Sequence, residues 1–323
     1  MNALIVGAGS VGQVFARHIH LAGSNVTFLA RDERARSIRH GLVLYELNKR
    51  DARNTPIPFS SFDVLTQESQ LDSHSWDQIY MCVPSDALSD SLLGWIQNYG
   101  GEATIIKLQP GLRDRELYAA HFEEVQLVTG MLSLISYQAP LNGEEVPEPG
   151  MAYWFPPMLP ILFSGSAERV SDVIKVLKTG GLPARYHPDV ERLVGYVLAV
   201  EAPLTAGIEC AGWSIGEFRR SRWFEVAYGA IKEASEVVSH YRQTSRPAVM
   251  ALLRPMTLRL AISLLPKQRP VPLELYLKHH FTKLHAQSQQ HIDDYINVGM
   301  EYGRSVVSLK ELRHGLDSSL SVA

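Results

Sequence analysis

The sequence predicts an α/β fold: an N-terminal Rossmann-type parallel-sheet domain over residues 1–168 and an all-α C-terminal domain over 169–323. Three observations predict it. Gly7-Ala8-Gly9-Ser10-Val11-Gly12 stands directly between an apolar run at residues 2–6 and a helical pattern that starts at Gln13. Apolar runs then alternate with helical patterns as far as Gly130, which implies right-handed crossovers and a parallel sheet. Beyond Ala167 the helical period takes over.

Taken in order, the first strand and its glycine turn are the most specific stretch. Gly7 permits the tight turn, Gly9 lets the backbone approach a pyrophosphate, and Gly12 lets the helix pack close to the strand. The helix N-terminus offers free N–H groups and a positive dipole end. Gly7, Ala8, Gly9, Ser10, Val11 and Gly12 are therefore candidate dinucleotide contacts. A second apolar run, 25–30, ends at Arg31, where a site for NAD carries an Asp or Glu against the ribose hydroxyls. A guanidinium there suits a 2′-phosphate through charge-assisted hydrogen bonds of about 1.5–3 kcal/mol each. The cofactor therefore reads as NADP(H), with Asp32 and Glu33 keeping a contact to a ribose hydroxyl open.

A helix over 34–40 leads to a strand or hairpin in 41–53 that runs into a polar turn, then Ile57-Pro58-Phe59. The apolar run 76–83 reads as a buried parallel strand stopped by Pro84-Ser85-Asp86, with a helix through Leu88, Leu92 and Ile96. A strand over 104–108 ends at Gln109-Pro110-Gly111, followed by a helix over 114–122 and a strand over 125–130. Ligands bind outside the carboxyl ends of such strands, which adds Val83, Pro84, Gln109 and Gly111 to the cofactor contacts. The Pro- and Gly-rich stretch 133–165 reads as an antiparallel extension of the sheet. Helices are expected over 189–210, 218–242 and 247–265, then a Pro-rich connection at 266–272 and one long helix over 274–304.

Hydrophobic residues make up 46% and charged ones 20% of 323, with a net charge of −3. No basic excess argues for nucleic acid or an anionic membrane. Cys82 and Cys210 lie far apart without metal-ligand spacing, so neither a disulfide framework nor a metal site is expected. The N-terminus begins a strand at once, and no apolar run is judged long enough to span a bilayer. A cytoplasmic protein whose partner is a small-molecule substrate is expected.

In the second half, Pro203-Leu204-Thr205-Ala206, Gly216-Glu217 and Asp294-Tyr295-Ile296-Asn297 join the glycine turn and Arg31 in a set that resembles the ketopantoate reductase family over nearly the whole chain. The resemblance implies reduction of a ketone with NADPH by a Lys on the first long C-terminal helix and a Glu on the late helix. Aligned on these motifs, Val194 stands at the Lys and Ile292 at the Glu. Leu198 and Ala202 stand at two substrate-binding Asn, and Pro84 at a strand-end Lys. A divergent member is implied.

Helical spacing suggests replacements. Val194, Leu198, Glu201 and Thr205 share one face, which sets Glu201 in an apolar stripe where desolvation raises a carboxyl pKa and suits a general acid. On the late helix His280, Lys283, Gln287, His291 and Asp294 form a polar stripe. Glu201, Lys283 and His280 are the candidate catalytic residues, with Lys283 on the substrate oxygen or nitrogen and His280 or Gln287 binding. The expected function is NADP(H)-dependent reduction of a small carbonyl compound, a 2-oxo acid other than ketopantoate being the candidate. An imine reductase and a non-catalytic NADP(H)-binding sensor are the alternatives. The helical domain is expected to serve substrate binding and dimerisation, giving a possible homodimer.

Overall fold

A computed structural model describes residues 1–49, 53–67, 70–71, 74–264 and 270–319. Parts of the expected polar turn (50–52), of the expected 247–265 helix (265) and of the Pro-rich connection (266–269) lie outside the described residues. The chain divides into two compact units, one of residues 1–109 and 114–191, the other of 110–113 and 192–323.

The first unit is built on an eight-stranded sheet. In chain order its elements are β1 (Asn2–Val6), α1 (Ser10–Leu21), β2 (Asn25–Leu29), α2 (Asp32–Ile38), β3 (Leu42–Glu46), β4 (Ile57–Phe59), β5 (Asp63–Leu65) and β6 (Gln78–Met81). There follow α3 (Asp90–Gly100), β7 (Thr104–Lys107), α4 (Asp114–Ala119), β8 (Leu127–Met131), β9 (Ile135–Ala139), β10 (Gly150–Trp154), β11 (Ile161–Gly165), α5 (Ala167–Thr179) and β12 (Ala184–Tyr186). The large sheet runs β12-β11-β8-β7-β6-β1-β2-β5. All its pairings are parallel except β8 with β11. Ala3, Leu4 and Ile5 are fully buried, as expected for a strand covered on both faces.

The stretch 133–165 departs from expectation. Only β11 extends the large sheet antiparallel; β9 and β10 join β3 and β4 in a separate sheet of order β4-β3-β10-β9. The expected domain boundary at 168 also differs from the division near 191, because β12 pairs with β11 and α5 packs on both strands.

The second unit is helical: α6 (Val190–Cys210, its first two residues in the first unit), α7 (Ile215–Arg220), α8 (Arg222–Tyr241), α9 (Pro255–Leu264), α10 (Leu273–Lys283), α11 (His285–Glu301) and α12 (Val307–Ser319). Three expected helices are broken. The one over 247–265 is a 3-10 turn over Ala248–Leu252 and then, past Leu253 (φ −76°, ψ 70°), α9. Extended backbone at Ser221 (φ −84°, ψ 167°) separates α7 from α8, and Leu284 (φ −103°, ψ 21°) separates α10 from α11. α6 corrects the estimate of apolar runs: 21 residues long, with an 18-residue window of mean hydropathy 1.4, it has the length and composition to cross a membrane. Its most apolar window is 61% buried within the protein. Its core partners include Ala230, Ala234, Tyr295 and Leu309.

Candidate functional site

In the first unit, the three motif glycines do three different things. Gly7 has φ +102°, a left-handed conformation that L side chains rarely adopt, and its N–H donates to the Leu29 carbonyl at 2.9 Å. At Gly12 a Cβ would stand 2.1 Å from the Gly7 carbonyl oxygen, so only hydrogen lets α1 approach the turn. Gly9 differs from both. Its backbone is ordinary, at φ −73°, and a Cβ there would meet nothing within 4 Å. No protein contact requires a glycine at that position; the space it leaves is open.

The turn is braced from behind. The Ala8 carbonyl accepts from Gln13 Nε2 at 2.9 Å and Arg34 Nε at 2.8 Å. Gly9 caps α1, whose first turn carries no acidic side chain, so its unpaired N–H groups and positive dipole end face no protein carboxylate of that turn. Arg31 caps α2, exposed, with no side-chain hydrogen bond or ion pair among the described residues. Asp32 and Glu33 are exposed beside it.

The neighbouring strand ends are locked together. Val83 Cγ1 lies 3.0 Å from where a Gly7 Cβ would be, and Pro84 precedes a 3-10 turn over Ser85–Ala87. Gln109 is buried; its Nε2 donates to the Met81 and Val83 carbonyls at 2.9 and 2.6 Å, and its Oε1 accepts from Tyr118 Oη at 2.7 Å. The Gln109 side chain is thus spent on holding β6 and β7 in register rather than presented to a ligand. Gly111 is buried in the 110–113 loop that belongs to the second unit. Lys107 at the end of β7, not anticipated from sequence, is buried with its ammonium 2.6 Å from Glu191 Oε2, to which Thr129 Oγ1 also donates at 3.1 Å. The available signal was a lysine inside the apolar run Thr104-Ile105-Ile106-Lys107-Leu108.

In the second unit, Glu201 is reached by solvent, yet desolvation by the surrounding protein pushes its carboxyl above the ordinary range. Burial, and then the Glu201 charge, raise the pKa of Tyr276; Tyr295 is raised by burial with Asp294 and Glu201 adding to it, against the lowering effect of Arg242. His280 stacks on Tyr276, centroids 5.1 Å apart and planes 26° from parallel, with Phe281 edge-on at 4.9 Å. Burial, helped by His279 and Lys283, lowers His280 to about 4, so its ring is neutral at pH 7. Glu201 and His280 thus share Tyr276, a residue the sequence reading missed, as neighbour.

Lys283, three residues along α10 from His280, is near enough to lower its pKa but turns its ammonium to His279. It is exposed, and its Nζ lies 2.8 Å from His279 Nε2. The break at Leu284 ends α10 there, so the polar stripe counted through to Asp294 is not one helix face. Val194 is 6% exposed and Ile292 fully buried. The Asp294–Asn297 segment lines a groove of about 380 Å³ with Arg113, Met300 and Glu301, in which Arg113 Nη2 donates to Glu301 Oε1 at 2.7 Å. Among the described residues no three His, Cys, Asp or Glu side chains are grouped to hold a metal ion.

Comparison with known proteins adds to this geometry. The family model described as ketopantoate reductase PanE/ApbA matches residues 3–142. In structure the chain is similar to a PanE/ApbA family ketopantoate reductase from Ralstonia eutropha JMP134 (TM-score 0.75, 15% identity, 99% of this chain and 98% of that one covered). It is similar also to D-mandelate dehydrogenase solved with NADH and anilino(oxo)acetate (0.73, 13%, 99% and 98%). A third likeness is to 2-dehydropantoate 2-reductase from Geobacter metallireducens GS-15 (0.72, 14%, 99% and 100%). At these identities the likeness is one of fold. No curated protein matches the chain.

Proposed function

We propose, from the match of residues 3–142 to the ketopantoate reductase family model, that this chain is an NADP(H)-dependent reductase of a small carbonyl compound, a 2-oxo acid other than ketopantoate. The observation that carries the reading is the open space at Gly9. Gly7 and Gly12 are glycine for the protein's own sake; Gly9 is glycine for something that comes to rest against the turn, and a pyrophosphate fits the N–H groups and dipole end there. Exposed, unpaired Arg31 supports the 2′-phosphorylated form. When bound, the nicotinamide supplies the hydride to the carbonyl carbon.

The chain's own task is to hold the substrate and deliver one proton. Glu201 is the acid in this reading: its raised pKa extends the protonated form upward in pH, and its carboxyl gives that proton to the substrate oxygen. His280, neutral and packed on Tyr276, binds and orients. Lys283, exposed and engaged with His279, takes no part. The test is oxidation of NADPH by a panel of 2-oxo acids. Glu201→Gln is expected to lower kcat by roughly 10²-fold or more with NADPH affinity kept, and wild-type kcat/KM to fall on the alkaline side as Glu201 ionises. Unchanged turnover in Glu201→Gln overturns the assignment of the acid.

A second reading, a sensor that binds NADP(H) without chemistry, is favoured by buried Val194 and Ile292, which stand where the family carries its Lys and Glu. NADPH bound tightly but never oxidised by any 2-oxo acid or imine supports it over the reductase.

A further inference from the structure

We propose that the surface formed by residues 246–264 is a self-association face, and that its occupant is a second copy of this chain. The 3-10 turn Ala248–Leu252 and α9 turn two opposite sides to their surroundings. Leu258 and Ile262 are buried; Met256, Leu260 and Leu264, four residues apart, are 81%, 62% and 51% exposed, and Val249 and Leu252 extend the stripe at 62% and 67%. At about 100° per residue, 256, 260 and 264 lie opposite 258 and 262. α9 is amphipathic in reverse: both of its sides are apolar, and only one is covered.

Charge has been drawn off this ridge. Arg259, the one charged residue of α9, lies over the Phe224 ring and donates to the Glu225 carboxylate at 2.6 Å and to the Arg219 carbonyl. Beside the ridge runs a groove of about 310 Å³ with Tyr228, Ile231, Met250 and Leu253 among its lining residues. At its rim Arg246 pairs with Glu236 at 3.1 Å, and Lys232 sits over the Tyr228 ring.

An apolar ridge beside an apolar-floored groove, on one surface, is the arrangement a two-fold contact needs: each copy's ridge enters the other's groove, and the same patch serves both sides. Five side chains this exposed present an area on the order of 500 Å², at the upper end of patches seen on monomers and more than half of the roughly 800 Å² per partner in a standard interface. A bilayer is the less suited occupant. With Arg246 and Arg259 paired, Lys232 and Arg254 are the remaining bases at this face among the described residues, short of the basic clusters that hold a helix on anionic lipid.

The test is the mass of the full chain by light scattering. At protein concentrations on the order of 100 µM we expect twice the 36.0 kDa chain mass, falling to one chain mass in Met256→Asp and in Leu260→Asp, with circular dichroism and melting midpoint kept. Hydrogen exchange on the wild type gives a reading that needs no variant: residues 248–264 are expected to exchange several-fold more slowly in concentrated than in dilute protein. A monomer at every concentration, with exchange independent of dilution, overturns the proposal. So does a dimer that survives both substitutions in folded protein, or a monomer that co-sediments with phosphatidylglycerol vesicles through Leu260.

Discussion

At Gly12, a single methyl group would stand 2.1 Å from the Gly7 carbonyl oxygen, so Gly12→Ala must push α1 off the turn. A loss of about 1–3 kcal/mol in urea unfolding is expected from such overpacking. At Gly9 the same methyl group meets no protein atom, and Gly9→Ala is expected to leave stability within about 1 kcal/mol while raising the NADPH dissociation constant tenfold or more by calorimetry. Equal affinity in that variant would remove the pyrophosphate from the turn. The imidazole of His291 gives the second prediction at this scale. Burial holds it down to about 4, while in the unfolded chain it takes up a proton near 6.5. The folded state refuses a proton that the unfolded state accepts, so stability is full above about pH 6.5 and is lost as the pH falls towards 4, by roughly 3 kcal/mol in all. His280 adds to the loss in the same direction. Urea unfolding of His291→Gln at about pH 7 and about pH 5 should show a flatter dependence than wild type; an unchanged slope refutes the assignment.

Elements show why some of this was legible in the sequence and some was not. The glycine turn is local chemistry: strand, turn and helix lie within twenty-one residues, and Gly12 answers to the Gly7 carbonyl five residues back. The helix around Glu201 was legible, since α6 runs unbroken from 190 to 210 and its spacing could be counted. Counting failed at Leu284, where neither Pro nor Gly flags the break, and Gln287, His291 and Asp294 of α11 were carried onto the face of His280 and Lys283 of α10. The second sheet was illegible for another reason: β10 pairs with β3 across about a hundred residues, Met151 opposite Leu44, and alternation within one strand carries no record of its partner. Lys107 belongs here too, since its anion, Glu191, comes from the start of α6. Lys107→Ala leaves that carboxylate facing a largely buried site, and because the Glu191 side chain is 24% exposed the expected loss is about 2 kcal/mol, below the 3–5 of a fully buried pair. In Lys107→Met with Glu191→Gln much of the loss should return, measured as a double-mutant cycle in urea. A cycle with no coupling would make the pair incidental.

On the scale of the whole chain, connectivity matters as much as packing. The chain leaves the first unit after Gln109, gives four residues to the helical unit and returns at Asp114. Leu112, 1% exposed, packs in the helical core, and its carbonyl accepts from Arg242 Nη2 at 3.3 Å. The helical unit is therefore not a simple C-terminal fragment, and the unfolding of the whole chain registers a ligand bound to its folded state. That gives the choice between NADPH and NADH a readout independent of turnover. A ligand that binds only the folded state at a hundred times its dissociation constant adds about 2.7 kcal/mol, which raises the melting midpoint by several degrees in a chain of this size. With Arg31 free to meet a 2′-phosphate, NADPH is expected to raise the midpoint more than NADH at equal concentration. In Arg31→Ala the two shifts should converge, through loss of the NADPH excess alone. A wild type shifted equally by both, or more by NADH, would move recognition to Asp32 or Glu33 and the ribose hydroxyls, and would make this an NAD-dependent protein with the same fold.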